Sequence, residues 1–83
     1  MSVSVVSLDL KNKIRKFQEK KLDEAMARLE YHSNMKIDLE KKLNSCVGDK
    51  RSEFEKEIIH QSKMKEIWKN NINKIKKEIS KLK

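Results

Sequence analysis

Residues of the kinds that carry out chemistry are few and scattered in this 83-residue chain. It has two histidines, His32 and His60, and one cysteine, Cys46. It has no glycine-rich phosphate loop, no Cys/His metal spacing and no Ser/His/Asp arrangement that folding would bring together. The carboxylates occupy helix-surface and cap positions rather than a paired site. The sequence therefore predicts a protein that is not an enzyme and has no cofactor, metal site or small-molecule substrate.

The histidines and the cysteine have simple structural interpretations. We expect each histidine to be satisfied by a neighbour or solvated, although His32 beside Lys65 could titrate with pH. Cys46 is best interpreted as a small residue near a turn, with a redox or cross-linking role as the alternative. A single cysteine excludes an internal disulfide and fits a reducing compartment. We therefore expect an intracellular protein and leave cytoplasm and nucleus open.

The basic side chains form the clearer pattern. Residues 11–21 hold six basic side chains against the acid Glu19, residues 69–83 hold six against Glu78, and residues 22–68 hold nine against ten acids. Such clusters attract nucleic acid or another polyanion. The alternative function is therefore that of a nucleic-acid-binding helical protein that uses residues 11–21 and 69–83. The plain interpretation is a solvated, lysine-rich helix surface. The candidate anion-binding residues are Lys11, Lys13, Arg15, Lys16, Lys20, Lys21, Lys69, Lys74, Lys76, Lys77, Lys81 and Lys83.

The composition of these clusters narrows the choice of partner. They are mainly lysine with one arginine, and the second has no aromatic residue, which argues against base-specific readout. No apolar run is long enough to span a bilayer. The sequence does not favour a membrane role either, because the apolar stripe near the clusters is narrow and is assigned to helix packing.

Charge and apolar content limit the elements that position these residues. The chain is 41% charged and 36% hydrophobic, which predicts a small core and is typical of long helices and coiled coils. Disorder is the competing interpretation, but regular apolar spacing argues against it. Residues 1–7 alternate Ser and Val and are predicted to be a flexible or extended segment, with Ser7 as the cap of the following helix.

Gly48, the only glycine in a chain without proline, marks the predicted turn. We predict a helix over 8–44, a turn over 45–51 and a helix over 52–82. Ser52 and Glu55 have the spacing of a capping box at the second helix start. The fold class is therefore all-α, an antiparallel two-helix coiled-coil hairpin that oligomerises into a helical bundle. A continuous helix in a parallel dimer is the alternative, since one glycine costs a helix only about 1 kcal/mol.

The apolar stripes of the two halves mirror each other about Gly48, with partner residue numbers that sum to 97. Two polar layers match as well, Lys36 with Gln61 and His32 with Lys65, and we expect these to set the register. One phase slip interrupts the first stripe between Phe17 and Leu22. The predicted helix-packing residues are Leu22, Ala25, Leu29, Leu39, Leu43, Phe54, Ile58, Trp68, Ile72, Ile75, Ile79 and Leu82.

Further apolar residues lie off these stripes. We expect them to form a second face, with a wider hairpin core as the alternative, and Trp68 is a core residue or an exposed anchor. The predicted partner is a second copy or another helical protein, and the predicted function is scaffold or adaptor work. The off-stripe residues are Met26, Tyr31, Met35, Ile37, Ile59, Met64 and Ile67.

Overall fold

The computed structural model of the chain is a hairpin of two long helices. It describes residues 2–45 and 48–82, with side chains from Leu8 onward. Helix α1 spans Ser2–Ser45 and helix α2 spans Lys50–Lys81. They pack side by side in a rod of 72 × 14 × 13 Å. The predicted all-α hairpin is confirmed. The continuous-helix alternative is wrong, because a straight rod of this chain would be about 110 Å long at 1.5 Å per residue.

Gly48 reverses the chain direction between the helices. Its φ is +103°, a left-handed conformation that side-chain-bearing residues rarely adopt. The Arg51 amide donates to the Gly48 carbonyl oxygen over 3.3 Å, which starts the first turn of α2. The predicted role of Gly48 at the apex is therefore supported by its backbone geometry, and Cys46 lies outside the described residues.

Both helices begin earlier than the sequence predicts. Helix α1 starts at Ser2, so the segment predicted to be extended is helical and Ser7 lies inside the helix instead of capping it. Adding a residue to an existing helix needs no new nucleus, and the lower propensity of Ser and Val costs only about 0.5 kcal/mol each. That small penalty explains why the Ser/Val alternation does not end the helix.

The predicted capping box at the start of α2 is wrong. Asp49 occupies the N-cap position, in a helical conformation and without a side-chain cap hydrogen bond. Ser52 is therefore already within the helix. Glu55 instead accepts from Arg51, with 3.3 Å between Nε and Oε1. The i,i+4 ion pair uses the carboxylate that the capping box would have needed.

The core is a thin line of side chains between the helices. Its buried apolar residues are Ala25, Leu39, Ile72 and Ile75. All twelve predicted packing residues are buried or half-buried. Each helix has only one neighbour, so most side chains at the seam keep an exposed edge. The side chains packed around the buried cluster of Ala25, Ile72 and Ile75 are Leu22, Leu29, Trp68 and Ile79.

Candidate interaction surfaces

The polar layers meet in a different way from the prediction. Among the side chains that the structure describes, Gln61 is the most enclosed polar one, only 4% exposed, and its Oε1 accepts from His32 Nδ1 over 2.5 Å. The predicted pairs were Lys36 with Gln61 and His32 with Lys65. The hydrogen bond therefore joins one member of each pair, and both lysines are half-buried. The Gln61 amide can accept a hydrogen bond from an imidazole within the seam, whereas a lysine keeps its ammonium group near water. For this reason His32 pairs with Gln61 and not with Lys65.

A groove runs along one side of the hairpin and shows which residues share that side. It has a volume of about 470 Å³, and both helices contribute to its walls. Trp68 lines it, and the indole Nε1 of that residue is buried without a hydrogen-bond partner among the described residues. Trp68 is half-buried and packs on the core cluster, which favours the first of its two predicted roles, core residue, over exposed anchor. The other lining residues are Gln18, Lys21, Glu24, Ala25, Arg28, Asn71, Lys74, Ile75 and Glu78.

Four of the off-stripe apolar residues extend the groove side toward the tip. Residues three or four positions apart lie on one face of a helix. From Arg28, that spacing leads along α1 to Tyr31 and Met35, and from Asn71 it leads along α2 to Ile67 and Met64. We call Tyr31, Met35, Met64 and Ile67 the flank patch. Tyr31 and Ile67 are 55% and 51% exposed, and the two methionines are half-buried.

The remaining off-stripe residues do not belong to this patch. From Met64, the spacing that follows the groove side along α2 leads to His60, so Ile59 lies on another side of α2. Met26 and Ile37 are likewise absent from the series of α1 residues that follows the groove side. All three are about half exposed, between 47% and 56%. The single second face predicted from the sequence is therefore divided over different sides of the hairpin.

The groove row also continues toward the N-terminus and accounts for the phase slip. From Lys21 the same spacing leads to Phe17, Ile14 and Leu10, which we call the N-terminal row. Their exposures are 61%, 38% and 56%. The apolar stripe thus leaves the seam at the slip and passes to the groove side. The sequence shows the slip but not the surface that results from it, because apolar spacing alone assigns the stripe to the seam.

The two basic clusters meet at the open end of the hairpin, which we call the basic pole. Arg15 Nη2 donates to the Leu82 carbonyl oxygen over 3.3 Å, so the two clusters lie at the same level. Lys13 pairs with Asp9 at 3.6 Å, and Lys81 with Glu78 at 3.5 Å. These pairs are exposed and contribute little to stability. The hairpin therefore brings both basic clusters to one end, and Lys83 lies outside the described residues.

The residues of chemical interest lie apart from one another. His32 bonds Gln61 and packs edge-on against the Tyr31 ring, with 5.1 Å between centroids. His60 is exposed. Within residues 2–45 and 48–82, no three His, Cys, Asp or Glu side chains are placed to hold a metal ion. Neither helix, over its described residues, has a stretch apolar and long enough to cross a bilayer.

Comparison with protein families, curated proteins and solved structures gives no match for this chain.

Proposed function

We propose that this protein is a non-enzymatic helical interaction module, used as an intracellular scaffold or adaptor. Its flank patch packs against a second hairpin, supplied by another copy or another helical protein, to form a four-helix coiled-coil bundle. Tyr31 is the natural anchor, since buried tyrosines often dominate interface energy. Met35 and Met64 provide adaptable apolar surface beside it.

The observation that carries this proposal is the large surface of the hairpin. The chain exposes 6771 Å², whereas a compact monomer of its 9.9 kDa mass would expose about 5,200 Å². A standard protein interface covers about 800 Å² on each partner. The excess is therefore large enough for an interface of ordinary size. The flank patch supplies its apolar centre.

The charge layout favours one arrangement of two copies. A two-fold axis along the rod would bring both basic poles together, where their charges repel. An axis across the rod places each basic pole beside the partner's tip, which is nearly neutral in sequence. Such pairing is isologous, so an axis that passes through the flank patch brings the patch against its own copy. We therefore propose an antiparallel dimer of hairpins as the self-associated form.

Sedimentation equilibrium tests this proposal with a matched pair of variants. Ile67→Glu puts a carboxylate into the flank patch, and Ile59→Glu makes the same change at a similarly exposed site elsewhere on α2. We expect the wild-type chain to dimerise, Ile67→Glu to weaken the dimer at least tenfold and Ile59→Glu to have little effect. The proposal fails if the flank patch variant associates as strongly as wild type. A monomeric wild type would remove self-association and leave a different helical protein as partner.

A second candidate function is nucleic-acid binding by the basic pole. The contact between Arg15 and the end of α2 favours it, because it brings lysines from both clusters to one surface. Phosphate contacts of this kind would be independent of sequence and strongly salt-dependent. Titration with duplex and single-stranded oligonucleotides at two salt concentrations tests this candidate. Binding that falls steeply with salt supports it, and no binding at low salt rejects it.

A further inference from the structure

Phe17 is exposed because of the direction in which it points, whereas Ile14 and Leu10 lie on the N-terminal side of Arg15, the residue that contacts the end of α2. Phe17 lies close along α1 to Arg15, which contacts Leu82, so α2 runs beside this part of the row. Phe17 is nevertheless 61% exposed. A neighbouring helix at the same level does not cover it, because the row faces the groove side and not the seam. Phe17, Ile14 and Leu10 therefore form an apolar strip that the hairpin itself leaves open.

Basic side chains surround this strip. Lys21 places its Nζ 5.6 Å from the centre of the Phe17 ring. The same stretch of α1 carries Lys13 and Lys16, both exposed, and Lys74 lies on the groove side of α2. An apolar row bordered by lysines is the pattern of a helix that lies in the plane of a membrane surface. An anionic lipid bilayer can bind both kinds of side chain, because its negative headgroups attract the lysines and its acyl chains accept the apolar side chains.

We propose that the N-terminal row of α1 binds the surface of an anionic lipid bilayer, with Phe17 and Leu10 inserted and the basic pole on the headgroups. A second copy fits this strip poorly, since pairing two such rows would bring two basic poles together. Nucleic acid would satisfy the lysines and leave the apolar side chains in water. Helix packing, to which the sequence assigns this stripe, leaves Leu10, Ile14 and Phe17 exposed, so these side chains are available to a lipid surface.

The test compares two charge-neutral double variants in vesicle co-sedimentation. Leu10→Ser with Phe17→Ser removes two side chains of the N-terminal row, which are 56% and 61% exposed. Ile37→Ser with Ile59→Ser removes two of similar exposure, 50% and 56%, near the tip. Vesicles contain phosphatidylcholine with 30% phosphatidylserine or phosphatidylcholine alone. Circular dichroism verifies that each variant keeps its helices.

We expect wild type to bind the phosphatidylserine vesicles and to bind neutral vesicles at least tenfold more weakly. The Leu10/Phe17 variant should lose at least tenfold in vesicle affinity, while the Ile37/Ile59 variant stays within about twofold of wild type. Tenfold corresponds to about 1.4 kcal/mol, less than full burial of one such side chain provides. Duplex oligonucleotide binding, where present, should be the same for all three proteins.

Three results would overturn the proposal. Absence of wild-type binding to anionic vesicles excludes the lipid surface directly. Equal binding by wild type and the Leu10/Phe17 variant shows that lysines alone hold the vesicle and that the row is not used. A change in the oligomeric state of the Leu10/Phe17 variant, with unchanged vesicle affinity, would assign the row to a second copy instead.

Discussion

At the scale of single residues, Gly48 matters for its backbone conformation and not for lack of space. A Cβ atom built on Gly48 meets none of the described residues within 4 Å, so the obstacle to a side chain is the φ of +103°. The sequence located this residue correctly as a lone glycine between two apolar stripes. The predicted cap at Ser52 is wrong. The spacing of Ser52 and Glu55 does not by itself fix where the helix begins, and Glu55 pairs with Arg51 instead.

Gly48→Ala should lower the free energy of unfolding by about 1 kcal/mol. The left-handed conformation strains an alanine in the folded state, and the lower conformational entropy of alanine in the unfolded chain offsets part of that loss. Ser52→Ala serves as control. A helix-interior serine gains at most about 0.5 kcal/mol on replacement by alanine, whereas loss of a true cap would cost about 1 kcal/mol. Urea unfolding followed by circular dichroism measures both. A larger loss for Ser52→Ala than for Gly48→Ala would contradict this assignment.

Gln61 is the polar residue on which the seam depends. It is enclosed between the helices and satisfies His32, so removing either partner alone leaves the other without its hydrogen bond. Polar residues at such positions fix the register of paired helices at some cost in stability. The matching polar gaps in the sequence indicated this region correctly. The partner could not be assigned, because neighbouring polar positions differ by one helical turn.

Replacing the pair tests that role. Gln61→Leu alone should destabilise the hairpin by about 1–2 kcal/mol, because it leaves the His32 donor unpaired. His32→Leu with Gln61→Leu should recover most of this loss, since apolar groups then replace both partners. A double-mutant cycle by urea unfolding gives the coupling. If the double variant is no more stable than Gln61→Leu, the hydrogen bond is not what stabilises this layer.

At the scale of elements, the helices and their seam were predictable and the remaining apolar faces were not. The spacing of Leu22, Leu39, Ile72 and Ile75 identifies the face that each helix turns to the other. Spacing alone cannot show which side of a hairpin an off-seam residue takes, because this depends on how both helices are rotated. For the same reason, the displacement of Phe17 from the seam became visible only in three dimensions.

Replacing one isoleucine at the seam and one in the flank patch of α2 by alanine compares how much each surface contributes to the stability of the hairpin. Ile75 is 8% exposed in the core cluster, and Ile67 is 51% exposed. Ile75→Ala should lower the free energy of unfolding by about 2–4 kcal/mol, because it leaves a cavity among its neighbours. Ile67→Ala should cost less than about 1 kcal/mol in the dissociated chain. Unfolding at low protein concentration makes the comparison, and equal losses would contradict the position of the seam.

At the scale of the whole molecule, the hairpin determines which distant residues act together. Folding back at Gly48 brings residues 11–21 and 69–82 to one end and leaves the tip nearly neutral. It also places the groove residues of both helices on one side of the rod. On that side the N-terminal row lies toward the open end and the flank patch lies toward the tip. Helical assembly and lipid binding are thus proposed for separate parts of one surface, and both depend on the reversal of the chain.

The most direct test of this account is an intramolecular distance between α1 and α2. Glu24 and Lys74 line the same groove and are exposed, so each can carry a spin label as cysteine in a Cys46→Ser background. Labelled chains are diluted with unlabelled protein, so that pulsed electron paramagnetic resonance reports only distances within a chain. The hairpin predicts label separations below about 30 Å, since packed helix axes lie about 8–10 Å apart. A separation near 75 Å, about 1.5 Å for each intervening residue of a continuous helix, would contradict the account.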